Sequence, residues 1–271
     1  VDNPATFESA FAYDLFEQAV LTKSRFTFDK RLQAFLNALV KTAQNRIVFF
    51  PEGHTFRRAQ LDHETKRKTY VIKGEGEYGG VDLPYPCGEE RMTPWADKAR
   101  EGRVNPKGIP VLYVADDVNT AISEQRPWLD AYVSLATFTL RSRVAIVDCT
   151  IDAEPATGIT SLARIAKLEP IEERERVVWG YINRAFSRPV TPSEDTAHYA
   201  PTQIIGETLK KAGFDGIAYK SSLGQGKNYA LFDLDCATYT TCELYQIGNI
   251  CVFEGTPLRN AEDPLIEEVD P

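Results

Sequence analysis

With 271 residues, 43% of them hydrophobic and 26% charged, the chain has material for one large domain or a domain with an appendage, and its composition is that of an ordinary soluble globular protein. A net charge of −8 argues against general affinity for nucleic acid or anionic membrane, because neutralising phosphates needs a basic surface; a small anion would have to be met by a few local arginines. No apolar run approaches about 18 residues and no leader pattern is seen, while the five cysteines, Cys87, Cys149, Cys236, Cys242 and Cys251, are odd in number and lack CxxC spacing, which suits reduced thiols in the cytoplasm.

Residues 5–22 and 28–45 read as two amphipathic helices. Phe7, Phe11, Leu15 and Ala19 repeat every four residues in the first, and Leu32, Phe35, Leu36, Leu39 and Val40 form the stripe of the second. Such a hairpin buries too little to stand alone. Residues 1–48 are therefore expected to be a helical extension packed on a main domain spanning 49–271. After the turn Pro51-Glu52-Gly53, the run His54 to Ala59 reads as a strand whose adjacent arginines, Arg57 and Arg58, point to opposite faces. Gly74 to Gly79 satisfies G-x-G-x-x-G behind a strand-like run, Lys68 to Ile72. Pro84 and Pro86 nevertheless stand where a helix should begin, so no helix N-terminus is there to receive a pyrophosphate, and the segment reads as a flexible acidic loop of the kind that serves as a lid.

The stretch from Gly102 to Glu124 organises the chain. A tight Gly/Asn/Pro turn leads into a strand, Val111 to Ala115, apolar on both faces and so covered on both. Asp116 or Asp117 then caps a helix with the stripe Val118, Ala121, Ile122 and Gln125. Glu124 falls about 60° from Ala121 on the shoulder of that stripe, where a carboxylate can look into a cleft. Arg103, Tyr113 and Glu124 thus offer a cation, an aromatic face and a carboxylate on consecutive elements. Singly, each has a plainer reading: an arginine on a turn, a packed tyrosine, a glutamate on a solvated flank.

Arg126-Pro127 ends that helix. Tyr132 to Leu140 and Val144 to Asp148 follow as strands, then a helix from Ile171 to Phe186 burying Ile171, Val178, Ile182 and Ala185. Pro201 to Gly213 reads as a helix with a glycine C-cap. Phe214 to Tyr219, Tyr229 to Phe232 and a segment around Cys242 to Phe253 complete the strands before a tail that frays. With three histidines, no HExxH and no Cys/His zinc spacing, no metal is expected; G-x-S-x-G and a complete P-loop are also absent. The pairs Glu89-Glu90 and Glu172-Glu173 read as solvated charge.

Gly-Arg-x-Asn-Pro-x-Gly-x-Pro-x-Leu-Tyr-x-Ala from Gly102 to Ala115, Thr-Ala-x-x-Glu ending at Glu124, Thr202-Gln203, the run Gly213 to Ile217 and a serine seven residues before Asn228 together resemble the signature of RES-domain proteins, the toxins of many bacterial RES/Xre toxin–antitoxin pairs. The resemblance covers roughly residues 50 to 235. It implies a mixed α+β fold similar to the ADP-ribosyltransferases, with central sheets flanked by helices, and an enzyme that breaks the nicotinamide–ribose bond of NAD as a glycohydrolase or phosphorylase. It also implies a catalytic set of Glu124, Arg103, Tyr113 and Ser221, with Ser222 the rival serine, and NAD-binding roles for Arg57, Asn105 and Asn228. NAD enters as substrate with no further cofactor, and the partner implied is an Xre-family antitoxin or another inhibitor protein, with a homo-oligomer left open. Glu101 and Val104 depart from the usual pattern of a second Gly and an aromatic. Two other readings stand beside this one: an ADP-ribosyltransferase acting on a protein, and a non-enzymatic interaction module that keeps the fold.

Overall fold

In the computed structural model, which describes residues 6–72, 76–95, 98–153, 171–188 and 196–249, the helices arise where apolar residues recur every three or four positions and the strands where β-branched and aromatic residues run together. The order is α1 (Ala12–Thr22), α2 (Lys30–Ala43), β1 (Ile47–Phe50), β2 (Thr55–Gln60), β3 (Glu64–Ile72), β4 (Gly76–Tyr85), α3 (Glu89–Met92), β5 (Leu112–Ala115), α4 (Val118–Ser123), β6 (Tyr132–Leu140), β7 (Val144–Asp148), α5 (Ile171–Ser187), α6 (Ala200–Lys211), β8 (Gly216–Lys220), β9 (Lys227–Leu231) and β10 (Ala237–Gln246). Eight strands form one mixed sheet in the order β1-β7-β8-β9-β5-β2-β6-β10. Within it only β7 and β8 run parallel, the connection between them passing through α5 and α6. This is a mixed α+β fold with a central sheet, and β6 and β7 keep the bounds read from the sequence.

One apolar cluster joins α1, α2, α5 and α6 to the sheet, and others gather around Phe56, Leu112 and Phe138 and around Val133 and Leu135. In the first, the rings of Phe16 and Phe35 stack at 4.5 Å, and wholly buried Trp179 of α5 donates from Nε1 to Thr42 Oγ1 of α2 at 3.0 Å. Asp29 caps α2 by accepting from the backbone N–H groups of Arg31 and Leu32. β1 runs across the expected boundary at 48/49, so the helical segment passes directly into the sheet.

Several elements differ from the sequence reading. α1 begins at Ala12 and buries Ala12, Tyr13, Phe16 and Val20, leaving Phe11 and Leu15 exposed by more than a third, at 38% and 37%. The stacking of Phe16 on Phe35 of α2 sets which face turns inward. The expected acidic loop is instead the start of β4, which pairs antiparallel with β3 from Glu64↔Tyr85 to Ile72↔Gly76; residues 73–75 of that expected loop lie outside the described residues. A two-stranded sheet leaves each strand an open edge, where Gly79, Gly80 and Pro84 break no second ladder. Ile171, expected in the core, is 47% exposed at the end of α5. β10 starts earlier than Cys242 and ends at Gln246; residues 250–253 and Cys251 lie outside the described residues. Cys87, Cys149, Cys236 and Cys242 are free thiols. Among the described residues no helix is long and apolar enough to cross a membrane.

Because α1 shares its core with α5 and α6, Phe16→Ala is expected to lower the stability of the whole domain by about 3–5 kcal/mol in one cooperative urea transition. A separate, earlier transition for the helical pair would detach it from the domain.

Candidate active site

β5 lies between β9 and β2, but its ladder with β2 is confined to the pair Arg57↔Ala115. Beyond that pair the two strands part, and a cavity of about 250 Å³ opens between them. Its wall is made by Arg57, Arg58 and Ala59 of β2, by Tyr113, Val114 and Ala115 of β5, by Ala121, Glu124 and Gln125 from α4 and its end, and by Gly102, Arg103, Tyr199, Tyr219 and Asn228. A larger cavity of about 380 Å³ lies in the helical extension, where four of the charged groups are engaged locally: Glu8 pairs with Arg31, Asp29 caps α2, and Arg174 donates to the Phe7 carbonyl.

Asp117 rather than Asp116 caps α4, accepting from Thr120 N–H at 2.9 Å, and this short helix ends with Glu124 as its C-cap. The Oε1 atom of Glu124 accepts from Ser221 Oγ and from Asn228 Nδ2, each at 2.6 Å. Ser221 Oγ meanwhile accepts from the backbone of Leu223 and Gly224, at 3.1 and 2.9 Å, so its one proton is the one given to Glu124. Both bonds to Glu124 fall on Oε1, leaving Oε2 without a partner among the described residues. Ser221 is buried and Ser222 exposed, so Ser221 is the serine that the structure brings to Glu124.

Tyr113 is among the residues lining the cavity, and its hydroxyl is engaged, donating to Asn105 Oδ1 at 2.7 Å and accepting from Val104 N–H at 2.9 Å. Burial pushes that phenol well above its ordinary pKa. Asn105, which the sequence reading gave to the nucleotide, instead braces the turn: its Nδ2 reaches the carbonyls of Arg100, Pro106 and Ile109, and it is not among the residues lining the cavity. A buried amide with three carbonyl partners in its own loop and the Tyr113 hydroxyl on β5 has little left for a ligand. Gln203 of α6 holds the same loop, its Nε2 reaching the carbonyls of Gly102 and Asn105 at 2.9 and 3.1 Å.

Arg103 donates from Nη1 to the Phe186 carbonyl at 2.8 Å, one of the unpaired carbonyls at the end of α5. It stands beside Tyr219, whose hydroxyl burial pushes up to about 12 against the pull of that guanidinium. Arg57 lines the cavity with one long bond, 3.4 Å, to the Phe56 carbonyl. Arg58, expected on the opposite face, lines the same cavity: where β2 leaves β5, its guanidinium folds into the gap and Nη1 donates to the Tyr113 carbonyl at 2.8 Å. Tyr199, Tyr219 and Arg58 were not among the candidates. Tyr219 has a sequence signal, a polar-tipped aromatic at the end of a buried strand, whereas Tyr199 sits in a short 3-10 turn with no pattern of its own.

Among the described residues no group of three or more His, Cys, Asp or Glu is placed to hold a metal ion. The family model for the RES domain matches residues 83–245. No curated protein matches the chain. Among solved structures, a chain of the crystal structure of the M. tuberculosis MbcT-MbcA toxin-antitoxin complex aligns with 76% of this chain and 91% of its own length, at 12% identity and a TM-score of 0.37.

The turn is packed so closely that a Cβ at Gly102 would lie 2.5 Å from Tyr113 Oη and 2.8 Å from Asn105 Oδ1. Gly102→Ala is therefore expected to cost about 1–3 kcal/mol of stability, read from the urea midpoint. An unchanged midpoint would mean that the turn is not held by the Tyr113–Asn105 pair.

Proposed function

This chain belongs to the RES-domain family, and on that premise we propose that the cavity binds NAD and that the enzyme breaks its nicotinamide–ribose bond, as a toxin restrained by an antitoxin-type inhibitor protein. The observation that carries the chemistry is Glu124: one carboxylate oxygen is tied down by Ser221 and Asn228, and the other has no partner among the described residues, on a side chain that belongs to the cavity lining. As the C–N bond breaks, its electron pair leaves with nicotinamide, which departs neutral, and positive charge develops on the ribose. A carboxylate already fixed beside that carbon stabilises the charge without having to reorganise. Water or inorganic phosphate then supplies the oxygen that bonds to the ribose carbon, and water gives up its proton on doing so. The Tyr113 ring offers a face for the nicotinamide, and Arg57 and Arg103 offer guanidinium groups to the diphosphate. Asn105 acts one step away, by fixing the turn that carries Arg103.

Mixing purified protein with NAD and following free nicotinamide tests this reading. Wild type is expected to release it, and Glu124→Gln to lower kcat by about 10²–10³-fold, because the amide oxygen can still accept from Ser221 and Asn228 while the negative charge is gone. Dependence of the rate on added phosphate separates phosphorolysis from hydrolysis. Label from NAD retained on a protein would point to transfer instead, and no nicotinamide release by wild type would sink the enzymatic reading.

Arg57→Ala is expected to raise KM for NAD about 10-fold or more with a smaller effect on kcat, since its guanidinium lies on the cavity wall away from the Glu124 cluster's hydrogen bonds. A fall in kcat at constant KM would move Arg57 from binding to chemistry.

A further inference from the structure

Arg58 is a cation with no carboxylate partner among the described residues, set into the wall of the cavity. Its Nη1 is spent on the Tyr113 carbonyl, a group left available where the ladder between β2 and β5 opens. Its Nε is buried and has no hydrogen-bond acceptor. A buried N–H left unmade is costly, and on an arginine the cost is greater because the donor carries charge. The side chain's Nε/Nη2 edge is the fork that matches two oxygens of a phosphate or carboxylate, and neither of its donors has a bond among the described residues. The one acid on the wall, Glu124, is already tied to Ser221 and Asn228. Burial and the nearby Arg91 charge together push the Arg58 guanidinium down to about 10, so that it remains charged at neutral pH in surroundings that disfavour the charge.

We infer that Arg58 is a third anion-binding side chain of this site, presenting its Nε/Nη2 edge to a phosphate oxygen of the dinucleotide beside Arg57 and Arg103. This rests on the NAD reading given above. It makes the β2–β5 split itself the diphosphate subsite, with the arginine that closes the gap also reading the ligand.

The test titrates wild type, Arg58→Lys and Arg58→Gln by calorimetry with two probes, ADP-ribose, which carries the diphosphate and is not cleaved, and nicotinamide, which carries none. Arg58→Lys keeps the charge on a side chain that ends one bond short of Nη1, Arg58→Gln removes the charge, and both lose the fork. The Kd for ADP-ribose is expected to rise about 10- to 100-fold while that for nicotinamide stays within about twofold. Unchanged ADP-ribose affinity, or a parallel loss of both ligands, would overturn the assignment and leave Arg58 a brace for β5. Wild type binding neither probe would instead overturn the NAD reading beneath it. Should both variants fail to fold, the arginine Nε–H resonances of the wild-type protein decide. Movement of the resonance assigned to Arg58 with ADP-ribose and not with nicotinamide supports the assignment, and an Arg58 resonance that stays in place overturns it.

Discussion

Two hydrogen bonds of 2.6 Å converge on one oxygen of Glu124, and much of the site's geometry follows from them. Their donors lie about a hundred residues further along the chain, in the turn between β8 and β9 and in β9 itself. A shared acceptor fixes both donors relative to each other as well as to the carboxylate, so the three side chains form one rigid unit. The backbone secures the same junction: Gly226 N–H donates to Thr120 Oγ1, Lys227 N–H to Asp116 Oδ1, and Asp116 N–H to the Lys227 carbonyl. A helix as short as α4 has little stability of its own. Being stitched to the β8–β9 turn at several points is what lets six helical residues hold a carboxylate steady.

The opposite wall is organised by buried polar groups that satisfy one another. Tyr113, Asn105, Val104 and Gln203 form a closed set in which the hydroxyl, the amides and the loop carbonyls find partners, and Gly206 lets the loop lie against α6, where a Cβ would come within 2.9 Å of the Val104 carbonyl. Arg103 emerges from this loop toward the end of α5. The last carbonyls of a helix lack intrahelical partners and carry partial negative charge, so the Phe186 carbonyl both anchors and orients the guanidinium. The helices thus do more than cover the sheet, since α5 and α6 set the direction of a side chain in the cavity.

How much of this was legible depended on whether the signal was local. The runs Tyr132–Leu140 and Val144–Asp148, the glycine that ends α6 (Gly213, at positive φ just after the C-cap Ala212) and the sequence Asp117 to Glu124 carry their instructions within a few residues. Ser221 and Asn228 could be picked out by spacing, yet nothing in that spacing states that both would bond the same Glu124 oxygen. Other features depend on competition across the fold. Which face of α1 turns inward is decided by Phe35 waiting opposite Phe16, and β4 forms from a Gly-rich acidic stretch because β3 supplies a ladder for it. Asn105 was given a ligand role by the family resemblance. The loop's own carbonyls reach it first. Arg58 was assigned by strand alternation to the far face; its backbone keeps the ladder with β6, but its long side chain reaches the Tyr113 carbonyl where the ladder with β5 has ended.

The charge distribution carries the same distinction between range and place. A net charge of −8 acts at a distance, where salt screens it beyond about 8 Å, and it disfavours large polyanions that must lie along the surface. Arg57, Arg58 and Arg103 act within the cavity, where the walls limit screening and the one acid present is held by neutral donors. At close range the local cations outweigh the global field. On the proposed reading, Arg57, Arg58 and Arg103 meet the negative part of the ligand, and Glu124, which lines the same cavity, meets the part that becomes positive. A dinucleotide whose diphosphate is negative and whose reacting sugar becomes positive satisfies both ends of that arrangement at once.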